Sequence, residues 1–372
     1  MAKHSFPWLL VRSLRFQRKH PTTGFTLLEL LISVFIGGII VSTLLYSVVE
    51  LLKVNQRESS RAETQREMQL AMDYISSELR QAVFVYDGSC LTGAGAFAAN
   101  ACPGITNFLP AAINTQPTGV GVGTTPVLAF WRVDQLPQVL INLCAANSAN
   151  LNLTTNANPP AGINGVPCLS RRTYSLVVYY LDTTNTGNTW SGRARLKRYA
   201  LTQFTAAGAP NTGWVDPTTT NNKFLGWPYE ATGNNLQTAG TLSDGSVNPY
   251  AGSIAGVVNP PPPVLVDFVD TPVTAGSTAT ACPGDSVAAG SLPPFVRSPS
   301  GTTVTSVYAC VRGGGFTAGI QNNTGGRNQE TAIFLRGNAA GRAGVPLTAN
   351  VVFDLQTRVL SRGSFEKSPA PQ

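Results

Sequence analysis

From Leu30 to Val49 the chain runs 20 residues without a formal charge, mostly Leu, Ile, Val and Phe. As a helix such a run is about 30 Å long, the thickness of a bilayer core. Buried core helices of soluble proteins are usually shorter, and this run is preceded by the basic residues Arg12, Arg15, Arg18 and Lys19, so one membrane-spanning helix is the expectation. The positive-inside rule keeps that basic side cytoplasmic and sends the rest of the chain across the membrane. Charge location also decides what the net charge of +7 means. Lys3 and the four residues just named precede Gly24 with no acid among them, which leaves only +2 for everything after it. The basicity belongs to a leader, and no nucleic-acid partner is expected from charge.

An ordinary secretory signal places basic residues first, then an apolar core, then a cut after small residues beyond it. Here the apolar run passes into polar, helix-forming sequence without an Ala-x-Ala-like site, and the small residue Gly24 stands between leader and run. Cutting there removes the charges and keeps the helix. The segment Gly24-Phe25-Thr26-Leu27-Leu28-Glu29 resembles the class III signal of type IV pilins and type II secretion pseudopilins. That resemblance extends from the leader through the long helix. It implies cleavage after Gly24 by a prepilin peptidase, N-methylation of Phe25, storage in the inner membrane with the head extracytoplasmic, and passage through an inner-membrane assembly platform into a pilus or pseudopilus made with other pilins. Membrane lipid is the other implied partner, and no cofactor is.

Glu29 is the residue in this segment that needs a physical account. A carboxylate at mid-bilayer costs about 2.5 to 3.5 kcal/mol on insertion scales. Near the helix start Glu29 reaches the headgroup level, and once the leader is gone the new Phe25 amine lies one helical turn away. The resemblance implies that the amine it meets belongs to a neighbouring subunit, which sets axial register. The bland alternative is an acid near a positive helix end, worth a few tenths to one kcal/mol, which leaves Gly24 and the leader unexplained. Deeper in the helix, Gly37-Gly38 suggests local unwinding or close helix approach, against simple tolerance of Gly in membrane helices.

Past Glu50 the sequence becomes charged, yet Met68, Met72, Ile75, Leu79, Val83 and Tyr86 keep the spacing of one buried helical stripe, so the helix is expected to end before Asp87-Gly88. Strand character follows at Val127 to Val133, Tyr174 to Leu181, Arg193 to Leu201, Val264 to Val269, Thr305 to Val311, Ala332 to Arg336 and Val351 to Leu360. The second and third, joined by a turn-rich connection, read as a hairpin. No later helical period is apparent. The fold class expected is therefore α+β and pilin-like: one long N-terminal helix packed on a mainly antiparallel β-sheet head with long disulfide-pinned loops. Residues 1–24 form the cleaved leader, 25–52 the transmembrane or filament-core helix, 53–86 its amphipathic continuation and 87–372 the extracytoplasmic head. The stretches Ala145 to Pro167 and Thr205 to Pro263 are too long for simple turns and are expected to decorate the exposed head. The run Pro260 to Pro263 reads as a stiff approach to a strand.

Six cysteines, Cys90, Cys102, Cys144, Cys168, Cys282 and Cys310, all lie beyond the membrane segment. An even number in an oxidising compartment favours disulfides, and sequence neighbours are the favoured pairs among 15 connectivities. Zinc is disfavoured because no CxxC exists to form half a site. Catalysis finds little support. His4 and His20 are the only histidines and both lie in the leader, which removes Ser-His-Asp and Cys-His systems from a processed chain. No GxxxxGK loop is present, and Gly313 to Gly315 reads as a plain loop.

The expectation is thus a non-enzymatic minor pilin or pseudopilin. Its size and late hairpin resemble the larger minor subunits of the W and J classes. The long Thr/Asn/Gly-rich head and "FLRGNA" resemble cyanobacterial pseudopilins of hormogonium polysaccharide secretion and motility. The alternatives are an adhesin or DNA-uptake subunit that binds a surface, polysaccharide or DNA through its loops, and a membrane-tethered hydrolase using paired carboxylates. For DNA only Arg171-Arg172 and Arg193 to Arg198 are candidates, the latter expected to be a solvated strand face.

Overall fold

A computed structural model describes residues 24–115, 123–148, 163, 165–254, 262–271, 281–283, 294–300, 304–313 and 329–361. The chain divides into two units, Met1–Asn55 and Gln56–Gln372. Helix α1, Leu27–Arg80, supplies all but residues 24–26 of the described part of the first unit, and the opening element of the second.

In the second unit α1 buries Met68, Ala71, Met72, Ile75 and Leu79, the stripe expected from the spacing. The helix stops at Arg80, six residues before Tyr86, and Ala82–Val85 is strand β1, paired antiparallel with β2, Thr124–Gln135. Val83 and Tyr86 therefore do not belong to the helical stripe. Tyr86 is buried on the far side of the sheet, where it accepts a hydrogen bond from Trp131 Nε1 at 2.8 Å and donates to the Phe224 carbonyl at 2.5 Å. A tertiary partner that completes a hydroxyl's hydrogen bonds overrides a local periodicity.

The remaining strands are β3 (Arg172–Asp182), β4 (Ala194–Leu201), β5 (Val264–Val269), β6 (Phe295–Ser298), β7 (Val307–Arg312), β8 (Glu330–Asn338) and β9 (Val352–Leu360). They form one antiparallel sheet in the order β1-β2-β3-β4-β5-β8-β7-β6, with β9 paired to β8. The expected hairpin is β3–β4, with Tyr179 opposite Arg198. Period-2 alternation sends Val177, Tyr179 and Leu181 to the face that carries α1, and Leu176, Val178 and Tyr180 to the other. In β2 a register shift between Pro126 and Leu128 puts both Val127 and Leu128 on the helix side.

The sheet curls far enough for its ends to meet. Ser298 Oγ donates to the Val127 carbonyl at 2.9 Å, and the Gln329 amide bonds both Val85 N and Val85 O, at 2.7 and 2.9 Å, as a strand neighbour would. After β1 comes the single turn α2, Gly88–Leu91, capped by Asp87, whose carboxylate accepts from Ser89 N at 2.9 Å. An ideal Cβ on Gly88 would stand 1.9 Å from the Arg297 carbonyl, so only Gly permits this close approach of α2 to β6.

Two expectations fail. Helix α3, Gln138–Ala146, follows Pro137 and is a further helical element that the composition of its surroundings hides. The stretch after Thr205 is no exposed decoration. Over residues 205–254 it buries Trp214, Val215, Phe224, Trp227, Leu236 and Ile254 against the second face of β2 and β3. It does so through three turns of one design: Thr205 N bonds Ala209 O, Glu230 N bonds Asn234 O and Leu242 N bonds Ser246 O, at 2.8, 3.0 and 2.9 Å. In each, a Gly (208, 233 or 245) takes the left-handed conformation just before the acceptor. Of the proline run, Pro260 and Pro261 lie outside the described residues, and Pro263 accepts from Arg198 N at 3.1 Å as it enters β5.

Candidate assembly site

Gly24, with nothing among the described residues within 4 Å of an added Cβ, precedes Phe25, which is 82% exposed. Thr26 caps the helix: Glu29 N donates to the Thr26 carbonyl at 3.0 Å and to its Oγ1 at 3.3 Å. Thr-x-x-Glu is the sequence of a capping box, so Glu29 stands at the third helical position, near the positive end of the dipole. Thr26 went unremarked in the sequence, although the spacing to Glu29 was its signal. Among the described residues Glu29 meets no cation within ion-pair distance.

Within this first unit every large apolar side chain from Leu27 to Val54 is between 48% and 84% exposed. Its serine hydroxyls and that of Thr43 are satisfied internally: Ser33 donates to Leu30 O, Ser42 to Gly38 O, Thr43 to Ile39 O and Ser47 to Thr43 O, at 2.8 to 3.0 Å. Serine and threonine hydroxyls bonded to their own helix need no water, which suits lipid or a packed bundle. The helix is long and apolar enough to cross a membrane. Gly37 and Gly38 are helical, with nothing among the described residues within 4 Å of where a Cβ would be.

In the second unit α1 is held by charge as well as by its apolar stripe. Arg132, Tyr179 and Arg198 share the helix face of β2, β3 and β4, and all three converge on Glu78, whose side chain is 5% exposed. Arg198 grips both carboxylate oxygens, at 2.9 and 3.0 Å, while Arg132 bridges from Glu78 to Asp134 at 2.9 Å. The Tyr179 hydroxyl donates to Glu78, and burial, followed by the adjacent carboxylate, holds it far above the ordinary tyrosine range. Burial opposes charge on Arg198, but Glu78 outweighs it and raises the guanidinium further. Earlier on the helix Glu63 and Glu67 both pair with Arg342, which stacks on Phe268 at 4.1 Å, and Ser60 Oγ donates to the Ala343 carbonyl at 2.7 Å. Glu78 was missed in the sequence, yet an acid three residues past Ile75 lies on the buried stripe and calls for buried cations.

The basic strand Arg193 to Arg198 is therefore not a solvated face. Arg195 is fully buried, Lys197 pairs with Asp182 at 2.6 Å, Arg198 with Glu78, and Arg193 donates to the Leu347 carbonyl. Arg171 and Arg172 are exposed. Burial works against the Asp182 carboxylate, but hydrogen bonds from Lys197 and Thr184 outweigh it and hold it below the usual carboxylate range.

Three disulfides, Cys90–Cys102, Cys144–Cys168 and Cys282–Cys310, join sequence neighbours, with Cα separations of 5.0, 5.5 and 5.7 Å. They tie α2 to its following loop, α3 to the approach to β3, and β7 to the segment before β6. Gly313 ends β7 in a left-handed conformation; Gly314 and Gly315, like the leader with His4 and His20, lie outside the described residues. Among the described residues no group of three or more His, Cys, Asp or Glu is placed to hold a metal.

Comparison with curated proteins and with solved structures finds no match. Residues 20–45 match the family model described as a prokaryotic N-terminal methylation motif, the segment that contains Gly24, Phe25 and Glu29, and this supports a type IV pilin-like precursor processed by prepilin peptidase.

Proposed function

We propose that this chain is a minor pilin or pseudopilin, cut after Gly24, N-methylated at Phe25 and incorporated through α1 into a type IV pilus-like or secretion filament. One observation carries the reading: behind the processing signal, the apolar half of α1 is exposed along its whole length while the following half is bolted to the head by Glu78. Each large apolar side chain left in water forfeits about 1.5 to 3 kcal/mol, so this half belongs in lipid or among neighbouring helices. The role is structural rather than enzymatic. Glu29 takes the Phe25 amine of the neighbouring subunit, and Gly37-Gly38 lets a neighbouring helix approach closely.

Orientation follows the leader, with the amino terminus cytoplasmic and the head extracytoplasmic, where the three disulfides form. The size of the head supports a larger minor subunit of the W or J class, and polysaccharide secretion and motility are the proposed setting. With most of the β4 cations already engaged, a DNA-binding role has less to stand on. The test is Glu29→Leu: leader removal, read by mass, is expected to persist while the protein disappears from sheared filaments. Unchanged incorporation would sink the assigned role of Glu29.

A further inference from the structure

The outer edge of β9 carries a pattern that the assembly helix does not use. Among the described residues no strand pairs with that edge. Val351 O accepts from Ala339 N and Ser361 N donates to Gln329 O, at 3.0 and 2.9 Å, and the ladder between them is regular. The odd-numbered residues of β9 therefore point their backbone groups at β8, and Val352, Asp354, Gln356, Arg358 and Leu360 point theirs outward. Asp354 and Arg358 pair across the ladder with Arg336 at 2.6 Å and Glu330 at 3.7 Å, yet their side chains remain 67% and 53% exposed and can be shared with a second partner; Leu360 is 60% exposed. An edge of this length with its donors and acceptors open is a template for another strand.

Its sequence is self-complementary. In an antiparallel pair centred on Gln356, Asp354 of each copy faces Arg358 of the other, Gln356 faces itself and Val352 faces Leu360, all in positions where the backbone groups meet. Sliding the register by two residues separates the charges. Sliding it by four sets Asp354 against Asp354 or Arg358 against Arg358, which is unfavourable. On the other face Phe353 and Leu355 are only partly buried against the core and would gain cover.

We propose that β9 pairs antiparallel with β9 of a second copy of this chain, in the register centred on Gln356. The contact is isologous: it closes on itself and does not propagate along a filament, so it joins copies outside any one filament core. It goes beyond the assembly reading and uses none of Gly24, Phe25 or Glu29.

The test uses the full-length chain in detergent. Gln356→Cys is expected to form a disulfide-linked dimer on mild oxidation, because opposed residues in such a pair sit about 5.5 Å apart at Cα, within disulfide range. Val352→Cys, on the same edge but opposite Leu360, is expected not to link to itself. Gln356→Pro removes only an outward N–H, so the β8–β9 ladder and the thermal transition should persist while the dimer seen by light scattering is lost. Asp354→Asn, which keeps the size of the side chain beside Arg336, should raise the dimer dissociation constant about tenfold, the two intersubunit charge pairs being lost. Equal cross-linking of Gln356→Cys and Val352→Cys, or a dimer unaffected by Gln356→Pro, would overturn the proposal. Either outcome leaves Glu29-dependent incorporation untouched.

Discussion

Replacing Glu78 by Ala removes the carboxylate on which three strands converge. Arg198, 16% exposed, loses its only ion-pair partner among the described residues, and Tyr179 loses the acceptor of its buried hydroxyl. Arg132 keeps Asp134 at 2.9 Å, which places the cost at the lower end for a broken buried ion pair, about 3 kcal/mol. Unfolding entropy near 60 °C is about 2.1 cal/mol/K per residue, so for a unit of roughly 300 residues that cost lowers Tm by about 5 °C. Near-UV circular dichroism of the buried Trp131, Trp214 and Trp227 reports the transition of the head without contribution from the apolar helix. Glu63→Ala is the matched control, since Glu63 is 61% exposed and Arg342 keeps Glu67; its cost is expected below about 1 kcal/mol. If Glu78→Ala shifted Tm no more than Glu63→Ala, the claim that Glu78 bolts the helix to the sheet would be refuted.

The contact of α2 with β6 and the Asp182 cluster make further predictions. Gly88→Ala drives a methyl into the Arg297 carbonyl and is expected to cost about 2 kcal/mol, read as a lower urea midpoint with unchanged slope; a neutral result would mean that α2 and β6 do not touch. Asp182, held below the usual carboxylate range in the folded state, binds fewer protons folded than unfolded, so its contribution is present above the unfolded value of about 3.9 and fades as pH falls below it. The stability difference between the wild type and Asp182→Asn should therefore shrink as pH is lowered through that range, and a gap that stayed constant would count against the Lys197 and Thr184 bonds.

What the sequence made legible was whatever keeps a strict period or a fixed order. The stripe Met68, Met72, Ile75 and Leu79 faces the core, and the runs beginning at Val127, Tyr174 and Val264 are strands, because both periods reflect one buried face. Val83 and Tyr86 misled because their spacing also continues the helix, and only the hydroxyl partners of Tyr86 in the opposite layer decide otherwise. The layer over residues 205–254 was illegible for a different reason. Its Trp and Phe residues are buried by turns, which have no period, and their cover comes from strands distant in sequence. At the candidate site, Gly24, Phe25 and Glu29 stood out because they are adjacent and ordered, whereas Glu78 finds its partners on β2, β3 and β4, which no local window contains.

The most direct test of the central claim is the amino terminus of the protein recovered from sheared surface filaments, read by mass spectrometry of its first peptide. The account predicts a chain that begins at N-methylated Phe25 with Glu29 and the apolar helix retained. A filament fraction without the protein, or a chain that still carries Met1 to Gly24 or begins beyond Val49, would contradict it.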